Sequence, residues 1–269
     1  MRRNLGPETP DLIMRKIEEG RGRGSLSSYA PWMNVGEFRS SGEQRIVLGR
    51  KTGRLHHYFS RGESNHHLVA EFSDKVIDIR EQYPVLPIEY TLDIARKMGI
   101  KHPSYGGYPH VITFDFLLTI QKENGQGHLV RSIKRSDDLL KPRVVEKLSL
   151  EQGICAELDF PYEIITEKHF PATLVANLKF LWEWTRIARS LPDRCAQQDF
   201  VRALCTQDLD EPLGIVLANA ADKLAVSRSL AIWLFQYCAW VKAVKFDVYS
   251  PLALTKPHPA LKANYALEW

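Results

Sequence analysis

At Phe170-Pro171 the chain changes character. Before this point, helical and strand-like segments alternate. After it, residues 172–243 keep helical spacing almost throughout. Alternating segments need a sheet with helices on its faces, whereas a run of apolar-striped helices needs other helices to pack against. The chain therefore divides into an α/β domain, residues 1–168, and a mostly α domain, residues 169–269. Its 269 residues suffice for two modest cores.

Within the first domain, residues 11–21 read as a short helix, stopped by the Gly/Ser-rich run Gly20 to Ser28. Ser60-Arg61-Gly62-Glu63 opens a helix to about Asp74. A strand over 76–80 follows, closed by Pro84 and Pro87, then a helix over 88–98. A loop carrying Pro103, Gly106, Gly107 and Pro109 leads to two strands, 110–120 and 128–134, with 123–127 as the loop between them. Pro142 begins a helix to about Leu158, and Tyr162 to Thr166 is a last strand. In the second domain, breaks fall at Pro192, near 208–212, and at Val226. Ser227 suits the N-cap of a final helix whose residues Leu230, Trp233, Leu234, Tyr237 and Val241 keep helical spacing. A strand over 244–249 follows. Helix, turn, helix and strand is the order of a winged helix-turn-helix, with Ser227, Arg228 and Ser229 opening the recognition helix. A plain helical domain that binds protein fits the same order.

Charge is uneven. Residues 1–60 hold eleven Lys/Arg against six Asp/Glu. Between 39 and 61 lie Arg39, Arg45, Arg50, Lys51, Arg54 and Arg61, with His56 and His57, against Glu43 alone. Such a segment suits phosphate contact, and equally a solvated surface. Arg45, Arg50, Lys51, Arg54 and His57 are the candidate nucleic-acid contacts. The four cysteines form no CxxC, which excludes a zinc ribbon and a thioredoxin-like dithiol, and a reducing cytoplasm is expected. No apolar run reaches the ~20 residues that span a bilayer. The basic start Met1-Arg2-Arg3-Asn4 lacks the apolar stretch of a secretory signal.

Four residues carry candidate chemistry. Asp115 lies inside the strand Phe114-Asp115-Phe116-Leu117-Leu118, where a carboxylate is costly to bury unless paired or bound to metal. Lys134 ends the neighbouring strand. In a hairpin the two lie side by side at one sheet edge, an acid and lysine pair that suits metal-dependent phosphodiester cleavage. A surface salt bridge fits the same spacing. Glu63 is either a further metal ligand or the acid of a capping box with Ser60. Glu151 shares a helix face with Val144, Leu148, Cys155 and Leu158, and so points toward the sheet; an ordinary pair with Lys147 is the alternative. The doubled histidines His56-His57 and His66-His67 raise a zinc site with Glu63, but no further ligand completes it.

Glu63, Asp115 and Ser132-Ile133-Lys134, on α, β, β, α, β order, resemble the restriction-endonuclease-like PD-(D/E)xK nucleases. Longer motifs resemble the TnsA family more closely. These are Glu19-Gly20-Arg21-Gly22-Arg23-Gly24, Tyr29-Ala30-Pro31-Trp32, Lys51-Thr52-Gly53-Arg54-Leu55-His56-His57, the run Asp78 to Pro87, and Gly99-Ile100-Lys101-His102-Pro103. They cover residues 10–135 in order. The resemblance implies a DNA endonuclease that nicks the 5′, non-transferred strands at transposon ends. It implies Mg²⁺ as cofactor, with Mn²⁺ as substitute, and a cytoplasmic protein of bacteria that joins the nucleoid when bound to DNA. The implied partners are double-stranded transposon-end DNA, the DDE-type transposase TnsB, and the AAA+ regulator TnsC, held through the C-terminal domain, with no membrane. Glu63, Asp115 and Lys134 fall on the family's metal-binding acids and lysine, and Glu151 on a further acidic position. The metal ligands would be Glu63, Asp115 and the Ile133 carbonyl. Ser132 departs from the family, where Glu, Asp or Gln stands, and a hydroxyl is a poorer Mg²⁺ ligand. A stand-alone restriction or repair nuclease is one alternative reading. A DNA-binding adapter whose nuclease core has lapsed is another.

Overall fold

The computed structural model describes residues 7–37, 43–186 and 190–257, together with the backbone of 262–263. The basic start, Met1 to Asn4, and Arg39 lie outside the described residues. The chain forms two compact units, residues 1–170 and 171–269.

The first unit begins with helix α1 (Pro10–Glu18), capped by Thr9, whose hydroxyl accepts from the Leu12 amide. A two-stranded hairpin follows, β1 (Arg45–Leu48) and β2 (Leu55–Tyr58). Helix α2 (Arg61–Phe72) comes next, capped by Ser60. The central sheet has the order β3-β6-β7-β8, built from β3 (Val76–Pro84), β6 (Thr113–Lys122), β7 (Gly125–Ile133) and β8 (Tyr162–Ile165). Helix α3 (Ile88–Lys97) and the small hairpin β4 (Ser104–Tyr105) and β5 (Tyr108–Pro109) lie between β3 and β6 in the chain. Three of the strands are antiparallel neighbours. Strand β8 is parallel to β7, so the chain needs a crossover, supplied by α4 (Pro142–Glu157).

The sheet is covered on two sides. Tyr58, Ala70, Val76, Ile79, Phe116 and Leu118 form one cluster, with α2 above them. Ile94, Ala95, Leu117, Val130, Leu150, Ile154 and Cys155 form the other, under α3 and α4. The sequence places the β6–β7 loop at 123–127. The register instead pairs Lys122 with Gly125, leaving Glu123-Asn124 as a two-residue turn. Gly125 takes a φ of +116°, which favours glycine. The expected loop around Gly106-Gly107 is likewise a hairpin. Both glycines have positive φ, +59° and +87°, as its tight two-residue turn requires.

Strand β3 runs to Pro84, beyond the expected end at Arg80, because its polar residues are buried with partners. Glu81 is fully buried, and both of its carboxylate oxygens accept from the Arg54 guanidinium, at 2.8 and 2.6 Å. His56 Nδ1 lies 2.8 Å from the same carboxylate, and the His57 amide donates to it. Arg54 also donates to the carbonyls of Ile79 and Leu26 and lies over the Tyr29 ring. This network ties the N-terminal segment and the β1–β2 hairpin to the sheet. It also corrects one expectation. Arg54 is buried and its donors are engaged inside the fold, so it is a core ion pair and not a phosphate contact.

The second unit packs α5 (Ala172–Trp182), α6 (Arg194–Cys205) and α7 (Leu213–Lys223) against α8 (Arg228–Trp240). Asn177 ties the following loop down: its amide donates to the Val248 and Ser250 carbonyls, and its oxygen accepts from the Leu252 amide. Ser227 caps α8, its hydroxyl accepting from the Leu230 amide. The expected strand over 244–249 is shorter. Only β9 (Val244–Lys245) forms, paired with β10 (Lys262–Ala263). Helix α8 is largely buried, with Ser227, Arg228 and Ser229 exposed at its start. Its first turn is therefore what this helix offers an outside partner. Among the described residues no helix is long and apolar enough to cross a membrane.

Burial alone pushes the Glu81 carboxyl up, but the Arg54 and His56 contacts outweigh it and hold it at about 2, below the ordinary 4.5. The depressed value contributes stability above pH 4.5 that is lost as the pH falls toward 2, on the order of 3 kcal/mol. Arg54→Ala leaves the Glu81 charge buried without its partner. We expect a loss of ~3–5 kcal/mol at neutral pH in urea unfolding, with a shallower decline in acid than in the parent chain.

Candidate active site

The β6–β7 ladder ends at the pair Phe116 and Arg131. Beyond it β7 turns its backbone to β8, where Ser132 opposes Ile164 and the Lys134 amide donates to the Ile165 carbonyl. The next β6 residue toward that end is Asp115. Its side chain takes over from the ladder: Oδ2 accepts from the Ile133 amide at 2.7 Å and from Lys134 Nζ at 2.7 Å. Lys134 Nζ also lies 3.2 Å from the Ile133 carbonyl. Asp115 and Lys134 are thus brought together where two strands part, and both are only partly exposed.

Glu63 enters from α2. Its carboxylate accepts from the Phe59 amide and the Ser60 hydroxyl, while the Ser60 hydroxyl accepts from the Glu63 amide. The capping role is therefore real, shifted by one residue, because the carboxylate reaches the amide before the cap. It is not the whole role. Burial, and after it the nearby Asp115 charge, push the Glu63 carboxyl up to about 7.

Glu151 comes from α4. The alternative pair with Lys147 does not form among the described residues. Glu151 instead accepts from the Ser132 hydroxyl and, at 3.1 Å, from the Tyr162 hydroxyl. Burial raises its carboxyl, Lys134 opposes this, and Asp115 adds to it. Burial disfavours the Lys134 charge, yet Asp115, Glu151 and Glu63 together hold its ammonium well above the ordinary lysine range. Three carboxylates thus act on one ammonium. The donors are oxygens throughout, which suits a hard divalent cation such as Mg²⁺. The raised carboxyls of Glu63 and Glu151 mark negative charge short of positive partners, and the residues fit such an ion. Glu63, Asp115 and the Ile133 carbonyl are the groups that would hold it, with Glu151 beside them.

Ser132 is fully buried beneath Glu151. The carboxylate missing from β7 is matched by one reaching in from the helix. Tyr162 was not anticipated. Its signal in the sequence is weak: a tyrosine eleven residues after Glu151 that opens the strand returning to β7.

The basic segment disperses in the fold. Arg45 and Arg61 both pair with Glu43. Arg50 and Lys51 sit at the tip of the β1–β2 hairpin, their amides donating to the Glu71 carboxylate. His57 is half-buried; its Nδ1 accepts from the Val35 amide, and burial lowers its pKa, so it is a neutral ring. Glu63, His66 and His67 do not form the zinc set considered above. His56, His67 and Glu71 approach within 4.8 Å instead. Both His56 nitrogens are engaged, by Thr52 and Glu81, and Glu71 holds two backbone amides. These groups serve the core. His66 packs on Phe116 and lies 3.3 Å from Arg131; burial and that cation bring it down to about 3.

The Ser132 arrangement can be tested directly. Ser132→Ala removes one donor from Glu151 and should cost ~1–3 kcal/mol. Ser132→Asp sets a second carboxylate against Glu151 and should lower the thermal midpoint further, with part of the loss recovered when Mg²⁺ is added.

Residues 73–167 match the family described as TnsA-like endonuclease N terminal. The stretch includes Asp115, Lys134 and Glu151, and begins after Glu63. The chain is also 37% identical over 170 residues to the Transposon Tn7 transposition protein TnsA of Escherichia coli. That alignment covers 63% of this chain and 62% of the relative, so the matched region spans less than two thirds of the relative's length. Over its N-terminal domain, this chain is similar to the TnsA-like endonucleases.

Proposed function

We propose that this chain is a Mg²⁺-dependent DNA endonuclease of a cut-and-paste transposition complex, nicking the 5′, non-transferred strands at transposon ends. The observation that carries the reading is the placement of Asp115 against Lys134 and the Ile133 backbone, with Glu63 and Glu151 close enough to act on the same charges. A surface ion pair does not need two further carboxylates. The N-terminal unit is read as a restriction-endonuclease-like core of the PD-(D/E)xK kind, and the C-terminal unit as winged-helix-like.

In this mechanism Asp115 and Glu63, with the Ile133 carbonyl, would hold the cation, which when bound would supply charge neutralisation and Lewis acidity at the phosphodiester. Lys134 orients the attacking water and stabilises the charge growing on the phosphate. Glu151 supports this set through Ser132 and Tyr162. Because a buried serine stands where a carboxylate is usual, metal loading is weak, and partners in the complex complete it. Arg45, Arg50 and Lys51 remain the phosphate contacts of the basic segment. The partners are transposon-end DNA, the TnsB-type transposase and the TnsC-type ATPase, the last through the C-terminal unit. The protein works in the cytoplasm, on the nucleoid.

The test is strand-specific cleavage of labelled transposon-end DNA with Mg²⁺, with and without a TnsB-type transposase and a TnsC-type ATPase. Asp115→Ala and Lys134→Ala should each lower 5′-strand nicking by at least ~10²-fold while 3′-strand cuts persist. Little nicking is expected from the isolated chain. Unchanged 5′ nicking in Asp115→Ala would remove the catalytic assignment and bring forward the adapter reading.

A further inference from the structure

A cavity of about 400 Å³ opens in the N-terminal unit beside the carboxylate cluster, within the usual size of small-ligand pockets (roughly 300–1,000 Å³). Its walls include Leu12 of α1, Tyr105 of the β4–β5 hairpin, Thr113 of β6, and Lys147 and Glu151 of α4. Two of these join it to the site already described. Glu151 is the carboxylate held by Ser132 and Tyr162. Thr113 lies two residues before Asp115 on β6.

The chemistry of the walls narrows the occupant. The lining is mostly apolar, which disfavours a hydrated ion. Tyr105 lies at the rim, 60% exposed, its ring stacked nearly parallel on His110 at 6.2 Å and 10°. The Gly106-Gly107 turn holds this ring on a short hairpin. Lys147 is exposed and, among the described residues, forms no ion pair, so its ammonium is available to an anion. An apolar recess, an open aromatic face and an uncommitted cation together match a nucleotide. The base enters and stacks, and the phosphate stays outside on the lysine.

We propose that this cavity receives an unstacked nucleobase of the DNA strand held at the Asp115–Lys134 cluster, with Tyr105 as the stacking surface and Lys147 on the adjoining phosphate. The proposal rests on the nuclease reading above and deepens it. Seating one base beside Glu151 fixes the register of the strand, and with it which phosphate meets Lys134. Tyr105 and Lys147 are then positioning residues, remote from the bond that breaks.

The probe is a single-stranded deoxytrinucleotide carrying 2-aminopurine at its centre, titrated with the full chain and followed by fluorescence. Stacking on Tyr105 should quench the emission. Tyr105→Ala should weaken binding about tenfold and abolish the quench, and Tyr105→Phe should restore both. Leu12→Trp, which fills the recess from α1, should weaken binding comparably. Thermal midpoints identify any variant that has failed to fold, and the other variant then decides. Equal binding and quenching by parent, Tyr105→Ala and Leu12→Trp would overturn the proposal, as would no binding to the parent chain. Asp115→Ala separates the two readings. If it abolishes 5′ nicking while the trinucleotide ignores Tyr105 and Leu12, the base subsite alone is wrong. If it leaves nicking intact while the trinucleotide depends on Tyr105, the nuclease reading falls and base binding stands.

Discussion

The buried pair between Arg54 and Glu81 is the interaction on which the N-terminal unit turns. A guanidinium and a carboxylate removed from water are costly unless every donor and lone pair finds a partner. Here they do, and the partners come from three places: the Leu26 carbonyl and Tyr29 ring before the hairpin, the hairpin itself, and β3. The consequence reaches the candidate site. Strand β2 ends at Tyr58, the cap of α2 is Ser60, and Glu63 lies in the first turn of α2. Anchoring β2 to β3 through Arg54 therefore sets where α2 begins, and so where the Glu63 carboxylate is delivered. A residue far from the chemistry determines whether one of its acids arrives.

The sheet obeys simple rules once that hairpin is fixed. Strands β6 and β7 form a long antiparallel pair whose ladder opens at Asp115. An aspartate in an aromatic strand looks anomalous in the sequence, and the anomaly has a local cause. The side chain replaces a backbone acceptor for the Ile133 amide and at the same time holds the Lys134 ammonium. Glu63 and Glu151 then approach from different helices. The set acts as one electrostatic unit: burial raises the Glu63 and Glu151 carboxyls first, Asp115 adds to it, and all three acids hold the Lys134 ammonium.

Much of this was legible in the sequence, for identifiable reasons. Helices α2, α3 and α4 carry caps, prolines and apolar stripes near their observed ends. Asp115 stood out inside an aromatic strand and Lys134 at the end of its neighbour, and the face of Glu151 followed from helical spacing. Other features were hidden. The β1–β2 hairpin was masked by its basic residues, since charge suggests surface and Arg54 is in the core. Strand β3 was placed at 76–80 only, yet it runs on through Glu81 and Gln82, which are buried with partners. Lys147 and Glu151 have ideal helical spacing but do not pair, because the Ser132 and Tyr162 hydroxyls come from two strands, β7 and β8, whose positions no local pattern gives. Pairings across the sheet are the information that spacing along the chain does not hold.

The four groups of the site come from α2, β6, β7 and α4, over a stretch running from residue 63 to residue 151. No two adjacent elements contain them all. Glu151 lies on the crossover helix that leads from β7 to β8. Contacts this distant in sequence form late, after the loops between them have closed. A chain clipped before β8 lacks Tyr162, one of the two hydroxyls that hold Glu151. The full set of four thus needs the finished sheet, while the hairpin alone pairs Asp115 with Lys134.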